Sequence, residues 1–212
     1  TECCEKIPNW FQEKKRLEER YFVFSSSNLQ GEQNDVTIAV KKDTISVIST
    51  QSFFSSSHDV PDHLEARCKC KETGKQFSVV GMRIHAIDIT DKEKCEELEL
   101  VLNSLKDVGR VIIGGDFNNN RRTCPPREWN MAELYKMCER KGFQVYTPDG
   151  ASFARDVPTD DEHCFAEDHF IIKGVFCEEA KYIRNFTDRD KSIYKWGRHF
   201  QTEKNWDKPG NH

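Results

Sequence analysis

An acid and an amide follow a strongly apolar stretch near the middle of the chain. Val111 to Ile113 are β-branched, two glycines follow, and then come Asp116 and Asn118. A β-branched run is typical of a buried strand, and glycines at its carboxyl end let the backbone turn at the rim of a sheet. The pattern predicts that Asp116 and Asn118 are presented together. A strand and turn with no chemical role is the alternative interpretation.

Further polar residues stand at the ends of other predicted strands: Glu2, His85 and Asp168, with His212 last. Acids at one edge of a sheet form an oxygen-rich cluster that suits Mg²⁺ or Mn²⁺. An amide such as Asn118 can hold a phosphate oxygen or an attacking water without adding negative charge. A histidine supported by an aspartate can face a phosphate as a cation or move a proton. These residue types therefore suit a divalent cation that keeps open positions for water and phosphate.

Hydrophobic periodicity predicts the elements that position these residues. Thr90 and Glu93 form a capping box before a helix over 91–107, which connects strands over 76–85 and 110–115 in a layered α/β unit. A second helix begins near Asn130 and ends at Gly142; its predicted buried stripe is Met131, Leu134, Tyr135 and Cys138. Another helix is expected over 8–19, and a loop over 51–61. Further strands are expected over 21–24, 36–40, 45–48, 64–70 and 165–175, the last interrupted at Glu167-Asp168-His169.

Composition indicates one domain over 1–212, because 212 residues with 36% hydrophobic content can form one core. The net charge of −4 argues against tight, non-specific binding to nucleic acid. Nine cysteines, an odd number without zinc-knuckle spacing, are interpreted as free thiols in a reducing cytosol, so a cytoplasmic location is expected. Because the sequence has no long apolar span, insertion into a membrane is not expected.

The stretch Gly114-Gly115-Asp116-Phe117-Asn118 resembles the G-D-x-N signature of the endonuclease/exonuclease/phosphatase superfamily. Thr1-Glu2 is similar to the family's Q-E strand end, and Phe77 to His85 looks like the strand that ends near the phosphate. Asp168-His169-Phe170-Ile171-Ile172 is similar to the family's I-D-[HY]-[FI]-[LI] strand. The resemblance implies a DNase I-like α/β fold with four layers, α/β/β/α, in which helices flank a two-layered β-sandwich.

The resemblance also implies roles for single residues. Glu2 and Asp116 would bind the metal, Asp116 would also activate the attacking water, and Asn118 would hold that water or the scissile phosphate. His85 would contact the phosphate. Asp168 would support a catalytic histidine, which the family carries in a terminal S-D-H. The nearest equivalent here is Gly210-Asn211-His212.

The family's first strand, with its metal-proximal asparagine, would precede Glu2. We therefore expect residues 1–212 to lack the first and last strands of the domain. The function expected from the resemblance is a Mg²⁺- or Mn²⁺-dependent phosphodiesterase or phosphatase that acts on a phosphate ester, with nucleic acid slightly favoured as substrate. A lipid or inositol-phosphate substrate stays open, as does a degenerate binding protein, which Asn211 in place of aspartate would favour. The sequence leaves the oligomeric state open.

Overall fold

The computed structural model describes residues 2–3, 10–26, 35–54, 61–84, 90–119, 130–148, 153–154, 164–165 and 168–180. The described helices are α1 (Trp10–Glu18), α2 (Asp91–Ser104) and α3 (Met131–Arg140). None of these helices is long and apolar enough to cross a membrane. The described strands are β1 (Glu2–Cys3), β2 (Tyr21–Ser25), β3 (Asp35–Lys41), β4 (Ile45–Phe54), β5 (Pro61–Cys70), β6 (Gln76–Arg83), β7 (Val111–Asp116), β8 (Gln144–Tyr146), β9 (Phe153–Ala154), β10 (Cys164–Phe165) and β11 (Asp168–Lys173).

Six strands form the main sheet, in the order β4-β5-β6-β7-β11-β8. Only β6 and β7 run parallel to each other; the other neighbours in this sheet are antiparallel. Parallel neighbours need a crossover connection, and α2 supplies it, beginning at the capping box of Thr90 and Glu93. The strand–helix–strand unit expected from the sequence is therefore confirmed. A smaller sheet has the order β1-β3-β2, and β9 pairs with β10.

The smaller sheet packs on one face of the main sheet, where β3 lies against β5 and β6. Alternate residues of a strand point to opposite faces, so β3 contributes Val36, Ile38 and Val40 to this interior while β5 contributes Leu64, Ala66 and Cys68. Gly81 of β6 allows the sheets to approach, because a Cβ atom there would lie 2.5 Å from Cγ1 of Val36. These two layers are the sandwich that the family resemblance implied.

Helices α2 and α3 cover the other face of the main sheet. Apolar side chains of α2, among them Leu98 and Leu102, pack with Val80 of β6, Ile113 of β7 and Ile171 of β11. Burial of apolar surface stabilises the fold by about 25 cal/mol per Å². This second core therefore stabilises the three strands that carry Arg83, Asp116 and Asp168. Sheet on sheet, with helices outside the larger sheet, confirms the expected α/β class.

Three local expectations were wrong. Strand β4 runs on to Phe54 and so includes the first four residues of the predicted loop, because its polar residues pair with β5 as Gln51 with Glu65 and Ser52 with Leu64. Tyr135 is 41% exposed. Its hydroxyl makes a hydrogen bond with Thr147, whereas a place in the buried stripe of α3 was expected.

The strand expected over 165–175 is also different, since β11 runs from Asp168 without an interruption at His169.

Strand β4 contains an irregularity of its own. Val47 pairs with Cys68 and Ser49 pairs with Arg67, so Ile48 is an extra residue in a bulge and is 55% exposed.

The glycine before the aspartate of β7 gives a test of the packing between strands. A Cβ atom on Gly115, whose φ is +157°, would overlap the carbonyl oxygen of Met82 in β6, whereas a Cβ atom on Gly109 meets nothing within 4 Å. We expect Gly115→Ala to lower the free energy of unfolding by more than about 2 kcal/mol, and Gly109→Ala to change it by less than about 1 kcal/mol. Urea denaturation measures both, and equal effects of the two substitutions would contradict the strand packing described.

The described thiols give a second test. Cys68, Cys70, Cys138 and Cys177 form no disulfide. Burial raises the pKa of Cys68 to about 11 and that of Cys138 to about 12, whereas a hydrogen bond with the Thr73 side chain lowers the pKa of Cys70. Because the thiolate is the reactive form, we expect a disulfide reagent at pH 8 to modify Cys70 well before Cys68 or Cys138. Peptide mass spectrometry over time measures the order, and early labelling of Cys138 in folded protein would refute it.

Candidate functional site

Strands β7 and β11 bring two aspartates into a cross-strand pair. Asp168 lies directly opposite Asp116 in the antiparallel register. The Cβ atoms of residues paired in this way are about 4.5–5.5 Å apart and their side chains share one face. On the other side of β7, Arg83 of β6 pairs with Asp116 in the parallel register. One row across three strands thus carries Arg83, Asp116 and Asp168.

The electrostatics of this row follow from its charges. Two carboxylates opposite each other repel, and Asp116 is only 7% exposed, so solvent screens its charge poorly. Arg83 adds one positive charge to the two negative charges. The formal charges of these three side chains sum to −1, so a cation bound between Asp116 and Asp168 would reduce the repulsion of the two carboxylates.

Asn118 ties the end of β7 to the end of β6. Its backbone N–H donates to Oδ1 of Asp116 at 2.9 Å, and its side-chain Nδ2 donates to the carbonyl oxygen of Ile84 at 2.7 Å. Ile84 in turn donates its N–H to the carbonyl oxygen of Asp116 at 2.9 Å. These bonds hold the Asp116 carboxylate by one oxygen and the Asn118 amide by its nitrogen. The amide oxygen is then the end of Asn118 suited to contact a water or an ion.

Asn118 adopts a backbone conformation that few residues accept easily. Its φ is 44°, in the left-handed region, where asparagine is enriched among residues other than glycine. The bend places Asp116 and Asn118 at the same rim, as the sequence predicted for the two residues. The structure thus brings together Asp116, Asn118 and Asp168, while their chemical roles stay predictions.

The other residues implicated by the sequence are placed only in part. Glu2 lies in β1 opposite Val36, whose side chain lies over Gly81, two residues before Arg83 in β6. The backbone of Glu2 is thus on the sandwich side of the row that holds Asp116. His85 and His212 lie outside the described residues.

Sequence reasoning missed a buried polar cluster behind the aspartates. His169 is 1% exposed, and its ring nitrogens lie 3.0 Å from Thr147 Oγ1 and 3.0 Å from Asn119 Oδ1. Tyr135 Oη lies 3.0 Å from the same Thr147 oxygen. Strand alternation was a usable signal, since a residue next to Asp168 must point to the opposite face. The partners, 22 and 50 residues away along the chain, have no local signal.

The side-chain oxygens at this site are of the type that binds a hard divalent cation. Carboxylate and amide oxygens are the ligands that Mg²⁺ and Mn²⁺ prefer, and Mg²⁺ is usually held by one or two carboxylates together with water and phosphate. The pair of Asp116 and Asp168 supplies such carboxylates. Within the part of the chain that the structure describes, no three His, Cys, Asp or Glu side chains gather as a complete metal site.

Solved structures with the same fold identify the architecture. A structure of D. rerio TDP2 complexed with single strand DNA product is 16% identical, with 79% of this chain and 67% of that chain covered and a TM-score of 0.59. An endonuclease/exonuclease/phosphatase from Bacteroides vulgatus is also 16% identical, with 78% and 69% covered and a TM-score of 0.57. A mannosyl-6-phosphatase of Bacteroides thetaiotaomicron is 16% identical, with 77% and 67% covered and a TM-score of 0.55.

These likenesses confirm the fold of the endonuclease/exonuclease/phosphatase superfamily that the G-D-x-N stretch indicated. This chain spans about two thirds of the length of the three solved chains, from 67% to 69%. The sequence matches no protein-family model and, at a significant level, no curated protein.

The bend at Asn118 can be tested by separating its conformation from its hydrogen bond. Asn118→Gly accepts the positive φ but loses the bond to Ile84, whereas Asn118→Ala loses the bond and strains the backbone. We expect Asn118→Gly to lower the free energy of unfolding by about 1 kcal/mol and Asn118→Ala by about 2 kcal/mol. Thermal and urea unfolding measure this difference, and an alanine variant as stable as the glycine variant would exclude strain at this position.

Proposed function

We propose that this chain, which has the endonuclease/exonuclease/phosphatase fold, is a divalent-metal-dependent hydrolase of phosphoric esters. The observation that supports this most directly is the Asp116–Asp168 pair, with Asn118 hydrogen-bonded to Asp116, at the carboxyl end of a central strand. Paired carboxylates with excess negative charge suit a metal and a water to be activated. Two like charges directly opposite each other destabilise a sheet, so a purely structural role does not explain the pair.

Asp116 is the residue proposed to activate the water. Its Oδ1 accepts the N–H of Asn118, which holds the carboxylate in one orientation, and this carboxylate would accept the proton of the attacking water. The amide oxygen of Asn118 would orient that water, because the amide nitrogen is committed to Ile84. A positioned carboxylate that accepts a proton in the transition state contributes about 10²- to 10⁴-fold in rate.

The remaining roles rest on the resemblance. Asp116 and Glu2 would hold a Mg²⁺ or Mn²⁺ ion, whose chemistry when bound is to polarise the phosphoryl oxygen and stabilise the leaving oxygen. His85 would contact the phosphate. Asp168 would support His212 as the catalytic histidine.

Nucleic acid is the substrate class we favour. The similar D. rerio structure holds a single strand DNA product, which supports a phosphodiester substrate. The second candidate is a phosphomonoester, supported by the similar mannosyl-6-phosphatase. A net charge of −4 leaves both open, because a nuclease needs only a local basic surface.

We also propose a domain organisation and a location for this chain. Residues 1–212 are proposed to form a single domain. The free thiols of Cys68 and Cys138 suit a reducing compartment, which supports the cytoplasm as its location.

Substitution of Asp116 tests the proposed activity. We expect Asp116→Asn, with Mg²⁺ or Mn²⁺ present, to lower kcat on a single-stranded oligonucleotide or on bis(p-nitrophenyl) phosphate by more than about 100-fold, because the amide cannot accept the proton. The matched control is Asp107→Asn, which changes an exposed acid in the turn before β7. Wild-type rates in both variants would refute the proposed role of Asp116.

The same assay separates the candidate substrates. Cleavage of the diester but not of p-nitrophenyl phosphate supports the nuclease, and the reverse supports the phosphomonoesterase. If the wild-type chain turns over neither ester with Mg²⁺ or Mn²⁺, the alternative of a binding protein without catalysis replaces the proposal.

A further inference from the structure

The aspartate pair has a buried histidine directly behind it. His169 follows Asp168 in β11, so its side chain points to the helix-covered face while Asp168 points to the sandwich face. The His169 ring packs 5.7 Å, centroid to centroid, from the ring of Phe117, at a tilt of 46°. One strand segment therefore places a carboxylate on one face and an imidazole on the other.

The hydrogen bonds of His169 have a defined direction. An amide oxygen can only accept, so the bond at 3.0 Å between Nε2 and Asn119 Oδ1 requires His169 to donate from Nε2. In the neutral ring Nδ1 is then an acceptor, and it accepts the hydroxyl of Thr147. Thr147 in turn accepts the hydroxyl of Tyr135. The assigned orientation of the amide is supported at its other end, where Asn119 Nδ2 donates to the sulfur of Met131.

This cluster contacts the residues that follow β7 through the side chain of Asn119. Asn119 is buried and follows Asn118 directly, at the point where the backbone has its positive φ. The loop is therefore held at two consecutive residues: Asn118 bonds to the carbonyl oxygen of Ile84, and Asn119 bonds to His169. If the Asn119 side chain were released, the Asn118 N–H that fixes the Asp116 carboxylate would lose its support.

We propose that His169 and Asn119 form a positioning pair. Their hydrogen bond sets the backbone at Asn118 and, through it, the orientation of the Asp116 carboxylate opposite Asp168. Neither residue of the pair touches the reacting atoms in this proposal. The effect on the backbone stands on geometry alone, whereas the effect on rate rests on the function proposed above.

A role limited to stability predicts a different result. When both partners of a buried hydrogen bond are replaced by apolar groups of similar shape, the change in stability is often small. A positioning pair predicts instead that losing either partner loosens Asn118, even in a protein that is still well folded. Misplacement of a catalytic group by about 1 Å can lower a rate by about 10²-fold.

The first experiment uses the wild-type chain alone. Nitrogen-15 NMR of histidine side chains distinguishes the neutral tautomer that carries its proton on Nε2 from the one that carries it on Nδ1. We expect His169 to be the Nε2–H tautomer. The opposite tautomer would overturn the proposal, because Nε2 could then not donate to Asn119.

The second experiment compares hydrogen exchange of the Asn118 amide in His169→Phe, Asn119→Leu and the double variant. We expect exchange to be faster by about 10-fold or more in each single variant, and the double variant to be no faster than the faster single one, because both remove one interaction. His169→Gln, whose amide can donate to Asn119, is expected to restore slow exchange. Leu105→Ala removes a buried side chain of the same core, so it controls for lower stability, and it should leave this amide slow.

The outcomes separate the two proposals. If the wild type hydrolyses the diester, His169→Phe and Asn119→Leu should lower kcat by about 10- to 100-fold while KM changes by less than about threefold. If the wild type is inactive, the proposed function fails while amide exchange still decides the positioning pair. Unchanged exchange at Asn118 in Asn119→Leu overturns the pair, even if His169→Phe does not fold.

Discussion

The antiparallel register between β7 and β11 is the constraint on which the site depends. A slip by one residue would turn Asp168 to the helix face and bring His169 opposite Asp116. Two features of the sheet oppose a slip. The ring of Phe170 lies over Gly114, where a Cβ atom would approach it to 3.1 Å, and Ile171 is buried in the core under the helices. The alternation of β11 is thus fixed by packing on both faces before any ligand is considered.

The same register places two carboxylates side by side, and one of them, Asp116, is buried. Burial of a carboxylate is unfavourable unless hydrogen bonds and nearby cations compensate. Here the N–H of Asn118 and the charge of Arg83 in the same row supply part of that compensation. The arrangement is the opposite of what stability alone favours, and such local conflict is typical of functional sites.

The residues that sequence reasoning placed well are those with local signals. Asp116 and Asn118 follow a β-branched run and two glycines, and α2 begins at a capping box that the structure contains. Periodicity reports which face a residue uses but not which strand lies beside it. The pairing of Asp168 with Asp116 and the bond from His169 to Asn119 join residues about fifty positions apart. The polar end of β4 was missed for the same reason, because β5 supplies its hydrogen bonds and no apolar alternation marks it.

The bulge in β4 has a consequence for the pairing of strands between copies of this chain. β4 is an edge of the main sheet among the described strands, and at ten residues it is a long one. A long, flat edge offers its backbone to another chain and invites aggregation, whereas a bulge bends the strand and breaks the row of hydrogen-bonding groups. The extra residue at Ile48 interrupts that row near its middle. A bulge at this position disfavours the addition of a further strand along β4, and the apolar side chain of Ile48 is exposed there.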